Sequence, residues 1–364
     1  MMTAAKKMTI GDTIIDYRRK KPHSTCEEIT DYVKKHFPGC RTNPLSVACT
    51  LSKAGMAPGQ VMNNGKPGKS TKPPSSGPVD VSKLPEASPE ESETQARERI
   101  TLRFDAMERI SRRAVDGKLP SFIVSGPPGV GKSWTVTEAL RESGRVRHDG
   151  LTNVGGGGPN DELGTVGYYD HIGGGCTAVG LYHALWNMRN GGVIFLDDCD
   201  GVFYDDESLN LLKVATDSTR ERLCSWRKNA AWLDEYEIDK TFDFKGHIIF
   251  LTNIDFEQVI ERGHRDSEHF KALIDRSSYL CLTLRTARDF MIRISDVSSG
   301  PHGMLAKYHG FNEVQIKECL DFVRLHQKRF YNLSLRLVGQ IAKYMIADPA
   351  GWKQDIEATK MRTF

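Results

Sequence analysis

The chain has 364 residues, enough for about two domains and a sizeable core, and its 39% hydrophobic and 27% charged content describes an ordinary globular protein. A formal net charge of +3 excludes a chain-wide polyanion binder. No run of eighteen apolar residues occurs and residues 1–12 lack an apolar leader segment, so the expected location is the cytoplasm, or the host cytoplasm if the protein is viral, with no membrane partner.

Residues 1–56 are expected to form a small, mainly helical domain. They carry ten Lys/Arg against five acidic residues, and helical patterns run over residues 10–19, 24–36 and 43–54. Ser24 and Thr25 with Glu27 and Glu28 signal a cap for the second helix, and Pro38-Gly39 stops it. Three short basic helices suit a helix-turn-helix or winged-helix module that contacts DNA, and they suit a protein-docking module equally well. Zinc is not expected here, because Cys26 and His36 on one helix would lie about 15 Å apart along its axis. The eight cysteines contain no C-x-x-C pair and read as reduced, scattered core residues.

Residues 57–94 are rich in Pro, Gly, Ser and Lys, then turn acidic. With few large apolar side chains they read as a flexible linker. Residues 95–115 return to helical spacing, with Ile100, Phe104, Met107 and Ile110 on one face and several arginines around them.

From residue 119 onward strands and helices alternate, the pattern of a parallel sheet wrapped by helices. The apolar run Ser121 to Ser125 leads directly into Gly126, Pro127, Pro128, Gly129, Val130, Gly131, Lys132 and Ser133, then a helical segment from Trp134. This is a complete GxxxxGKS phosphate loop. Glycines let consecutive backbone N–H groups converge on phosphates, Lys132 reaches the β/γ-phosphates, and Ser133 reaches a Mg2+ ion. Trp134 opens the helix whose N-terminus faces the anion.

Glycine clusters at 155–158 and 173–175 surround Tyr168, Tyr169 and His171, a composition suited to a mobile loop. Then Val193 to Leu196 forms an apolar strand that delivers Asp197 and Asp198 at its C-terminal end, where parallel sheets bind ligands. Asp197 is placed to hold Mg2+ and Asp198 to orient or deprotonate a water. Trp226 reads as a core aromatic. A further buried strand, His247 to Thr252, ends in Asn253, placed to position that water near the γ-phosphate.

The order of these parts resembles the AAA+ ATPase family over residues 95–350. The resemblance implies an α/β P-loop NTPase fold with an AAA+ core at 95–284, a parallel sheet flanked by helices, and a helical lid with C-terminal tail at 285–364. It further implies Walker A at 126–133, Walker B at 193–198, a sensor-1 residue at Asn253, an arginine finger at Arg276 and a sensor-2 residue at Arg336. Many relatives carry glutamate where this chain has Asp198, and the shorter side chain leaves slow hydrolysis open. Residues 180–217 are similar to ATPases of tailed bacteriophages. A member of this family binds ATP and Mg2+ between subunits of a ring, commonly a hexamer, so the chain itself is an expected partner. The expected activity is ATP hydrolysis that remodels DNA, reached through residues 1–56, or protein on DNA. A protein-remodelling chaperone and an ATP-binding switch or loader are the alternatives.

Overall fold

The computed structural model describes residues 9–21, 24, 26–37, 47, 83–148, 167–218, 221–228, 233, 238–263 and 267–363. The chain divides into two compact units, residues 1–71 and 72–364. In the first, helices α1 (Ile10–Lys20) and α2 (Cys26–His36) bury Ile14, Ile29 and Val33 with Val47, and Tyr17 and Phe37 close the edge of this small core. Val47 is helical, as expected for the third segment, whose other residues lie outside the described ones. Ser24 donates its hydroxyl to the Lys21 carbonyl at 2.8 Å, tying off the end of α1. Thr25 lies outside the described residues.

The second unit opens with the long helix α3 (Glu93–Val115). Ser92 and Gln95 form a reciprocal capping box, which satisfies two of the backbone donors that a helix start leaves open. Ala96, Ile100, Phe104, Met107 and Ala114 are the buried stripe, and each fully buried large side chain contributes about 1.5–3 kcal/mol. The linker expectation needs correction at its C-terminal end. Leu84 packs on the core, Ala287 and Arg288 donate backbone N–H groups to Pro85 and Glu86, and the Glu91 carboxylate receives Arg99 at 2.8 and 3.0 Å. Ion pairing thus holds a segment whose composition offers little burial, and residues 83–92 belong to the second unit.

Six strands form one parallel sheet. In chain order they are β1 (Ser121–Ser125), β2 (Val146–His148), β3 (Tyr168–Gly173), β4 (Val193–Asp197), β7 (His247–Thr252) and β8 (Ser278–Cys281), with β5 (Leu223–Ser225) and β6 (Thr241–Asp243) forming a separate antiparallel pair. The spatial order is β2-β3-β4-β7-β1-β8. The central strands are apolar throughout because both faces are covered: Phe122, Val124, Phe195 and Leu251 enter one core, and Ile123, Ile194, Leu196 and Phe250 enter the other.

The first core is shared with α3, with α4 (Lys132–Glu142), and with the C-terminal helices. The second is covered by α5 (Ala178–Asn187), α6 (Asp206–Ala215), α7 (Phe256–Glu261) and α8 (Ser267–Arg276). Trp226 is 8% exposed and packs near Tyr182, a core aromatic as read from the sequence. After β8 come only helices: α9 (Ala287–Ser298), α10 (Met304–His309), α11 (Glu313–Leu325), α12 (Leu335–Ala347) and α13 (Trp352–Lys360). No helix among the described residues is long and apolar enough to cross a membrane.

Tyr168, Tyr169 and His171 depart from the mobile-loop expectation. They lie in β3, paired in register with β2 and β4, and the two tyrosines pack on opposite cores. The neighbouring Gly155 to Gly158 lie outside the described residues.

Candidate functional site

The glycine loop sits at the C-terminal end of β1, and its shape is enforced by close neighbours. Gly126 donates its N–H to the Thr252 carbonyl at 3.2 Å, and Leu282 donates to the Ser125 carbonyl at 2.8 Å. A Cβ on Gly126 would stand 2.9 Å from Leu282 Cβ, and one on Gly129 would stand 2.6 Å from Ser334 Cβ. Gly129 and Gly131 have φ of +75° and +103°, which side chains adopt only with strain. Pro127 and Pro128 are half-buried between these fixed points.

Gly131 begins α4 without a side-chain cap. Thr135 N–H makes the first bond of the helix ladder, to Gly131, so the N–H groups of Lys132, Ser133 and Trp134 stand ahead of the ladder and face an anion by geometry. Trp134 is 55% exposed beside the loop.

Lys132 is 5% exposed, and its ammonium donates to the Gly126 carbonyl at 2.6 Å, the Pro127 carbonyl at 2.8 Å and Asn253 Oδ1 at 2.9 Å. Burial pushes its pKa down to about 8, against the opposing pull of Asp198, Asp200 and Asp197. Ser133 Oγ donates to Asp197 Oδ1 at 2.9 Å. Asn253 Nδ2 donates to Asp198 Oδ1 at 2.8 Å. Because β7 lies between β1 and β4, Asn253, the residue that follows it, falls between the lysine of one strand end and the carboxylate of the other.

Asp198 adopts φ +55°, and its N–H reaches across to the Leu251 carbonyl at 3.1 Å. This left-handed turn, which aspartate tolerates better than most residues, swings the second carboxylate from β4 towards β7. Thr252 Oγ1 donates to Asp200 Oδ1 at 2.6 Å, and burial raises the Asp200 pKa. His171 Nε2 lies 3.7 Å from Asp197 Oδ2, its ring stacked on Phe195.

The two arginines carried over by position lie in different places. Arg336 is exposed on the first turn of α12, beside the loop, where Leu335 N–H donates to the Gly129 carbonyl at 2.9 Å. Arg276 ends α8 at the other end of the sheet. Its carbonyl accepts from Ser121, the first residue of β1, and its guanidinium donates to the Ala272 carbonyl with Asp217 3.7 Å away. The length of β1, about 13 Å, separates that point from the glycine loop. Arg276 is therefore not part of this chain's own site.

Three neighbours of the site carried no role in the sequence reading. Asp200 was visible in the acidic run after β4. His171 was hidden in glycine-rich sequence. Arg293, on α9, had no local pattern at all: its Nε donates to the Val130 carbonyl at 3.2 Å and its guanidinium carbon lies 3.5 Å from the Phe104 ring centroid.

The donor chemistry fits a magnesium-bound nucleoside triphosphate. The loop offers N–H groups and an ammonium for phosphate, and Ser133 and Asp197 offer the hard oxygens that Mg2+ takes. Parallel sheet, glycine loop and following helix together make the α/β P-loop NTPase fold.

No protein-family profile matches the chain. It is 32% identical over 267 residues to the uncharacterized 36.7 kDa protein of the nrdC-mobD intergenic region of Enterobacteria phage T4, covering 72% of this chain and 75% of that one. A crystal structure of NtrX from Brucella abortus in complex with ATP aligns at 16% identity and a TM-score of 0.28, over 70% of this chain and 59% of that chain. A second NtrX crystal structure aligns at 13% identity and a TM-score of 0.34, over 92% and 68%. The chain thus spans less than two thirds of the ATP-bound structure.

Proposed function

We propose that this chain, which belongs to one family with the phage T4 36.7 kDa protein, is an AAA+ ATPase that binds and hydrolyses ATP with Mg2+ as an oligomeric ring and remodels DNA or protein on DNA. One observation carries the reading: three neighbouring strand ends bring five side chains together, Ser133 with Asp197, and Asn253 with both Asp198 and Lys132. The loop N–H groups and Lys132 bind the phosphates. Ser133 and Asp197 would hold Mg2+, which when bound neutralises charge on the phosphates. Asp198 accepts the proton of the attacking water, and Asn253 fixes that water and the carboxylate together.

The DNA part is supported by the basic balance of residues 1–56 and by the ends of α1 and α2, each finishing in basic residues: Arg18, Arg19 and Lys20, then Lys34, Lys35 and His36. A second reading, an ATP-dependent switch with little turnover, is favoured by Asp198, a short carboxylate already engaged by Asn253.

The deciding experiment is steady-state ATP hydrolysis by the full chain with and without single- and double-stranded DNA. Several-fold stimulation by DNA is the expected result. Turnover indifferent to DNA would move the reading to protein remodelling, and ATP binding without turnover would move it to the switch.

The Lys132 environment gives a pH test with a defined sign. Burial holds Lys132 of the nucleotide-free site at about 8, and phosphates beside it favour the ammonium and raise that value. Above pH 8 the free site holds fewer protons than the bound one, so ATP binding takes up a proton and affinity falls as pH rises from 8 to 10. Titration calorimetry at pH 9 in buffers of different ionisation enthalpy reads the uptake directly. Zero uptake would mean that Lys132 keeps its proton in the free site.

A further inference from the structure

The outer rim of the glycine loop is held by the C-terminal helices at two successive carbonyls. Leu335 N–H of α12 donates to Gly129, and Arg293 Nε of α9 donates to Val130. In a planar trans peptide the carbonyl of one residue and the N–H of the next point in opposite directions. Holding the Gly129 and Val130 carbonyls outward therefore turns the N–H groups of Val130 and Gly131 inward, towards the phosphate position.

Arg293 is built for this task at some cost. Its guanidinium is packed against Phe104, and its Nη2 lies 3.4 Å from the point that a Cβ on Gly131 would occupy, which places it directly against the loop. Among the described residues it has no ion-pair partner, and Asp296 on its own helix is engaged by Arg97. Asp296 and Asp105 act on it only from beyond ion-pair distance, a weak return for burying a guanidinium, and an apolar side chain would fill the same space at lower cost. Its chemistry makes sense beside a loop that receives anions.

We propose that Arg293 is a positioning residue: it orients the Val130–Gly131 peptide for phosphate, and through the same bond it couples the seating of the C-terminal helices to occupancy of the loop. The proposal rests on the reading of residues 126–133 as a nucleotide site. It requires that ATP binding stiffen the start of α12 as well as the loop, because both carbonyl bonds tighten together.

The test compares wild-type full-length protein with Arg293→Lys, which keeps the charge but cannot bond Val130 and pack on Phe104 in the same way, and with Phe104→Leu, which removes only the ring. ATP affinity and hydrogen exchange over residues 335–347 are measured with and without ATP, together with the melting temperature. The expected result is roughly tenfold weaker ATP binding in Arg293→Lys and loss of the ATP-dependent protection of α12, at a nucleotide-free melting temperature within a few degrees of wild type. Phe104→Leu should fall between the two. Wild-type affinity and undiminished protection in a folded Arg293→Lys protein would overturn the proposal alone. Failure of the wild-type protein to bind ATP would instead overturn the site reading, and this proposal with it.

Discussion

Lys132→Ala should reduce ATP turnover by about two orders of magnitude or more while leaving the nucleotide-free protein folded, the size of loss seen when a preorganised donor is taken from developing charge. In the free protein the ammonium holds the carbonyls of Gly126 and Pro127 and the side chain of Asn253. Alanine leaves those acceptors without that donor, a cost of about 1–3 kcal/mol for each group that water does not reach. It also removes a buried charge whose desolvation is visible in its lowered pKa. These effects oppose one another, so the melting temperature should move little. The phosphates have no such compensation, because they lose a charge-assisted donor. Phosphate release and thermal unfolding measured on one preparation decide the matter. Turnover within a few-fold of wild type would sink the assignment of residues 126–133 as the ATP site.

In the proposed ring, Arg276→Ala should abolish most turnover, by about a thousandfold, the loss that removing an arginine finger produces, and leave ATP binding intact. The argument is positional. Arg276 stands at the end of the sheet opposite the loop, so any action on a γ-phosphate must be on another subunit's nucleotide. Its pairing with Asp217 at 3.7 Å is partly exposed and worth at most about 1 kcal/mol, so losing it costs little stability. Asp217→Ala is the control, expected to keep activity. Mixing Arg276→Ala with Lys132→Ala protein should restore partial turnover, since each supplies what the other lacks. Full activity in Arg276→Ala alone would remove the trans role.

The parts of the site that could be read from sequence are those set by local pattern. An apolar run followed by spaced glycines and Lys132 is a strand, a tight loop and a helix start whatever lies elsewhere, and the same holds for the run that ends in Asp197 and Asp198. Asn253 was legible as the polar end of a third buried strand. Tyr168 and Tyr169 were misread because glycines on either side mask a short strand that owes its existence to pairing with β2 and β4. Residues 83–92 were misread because their fixation comes from Arg99 and Arg288, which composition does not reveal. Arg293 was invisible for the same reason. Its partners, Phe104 and Val130, come from distant parts of the chain, and only packing brings them to it.

The left-handed turn at Asp198 also bears on how this site can change over generations. A backbone at φ +55° admits aspartate, asparagine or glycine readily and resists most other side chains. The replacements that keep the turn most easily cannot accept a proton, whereas a glutamate adopts the same conformation at a greater cost. Loss of chemistry here is therefore a single conservative step that leaves the architecture whole. A descendant that had given up turnover and kept ATP as a structural ligand would carry asparagine or glycine at this position above an otherwise unchanged loop.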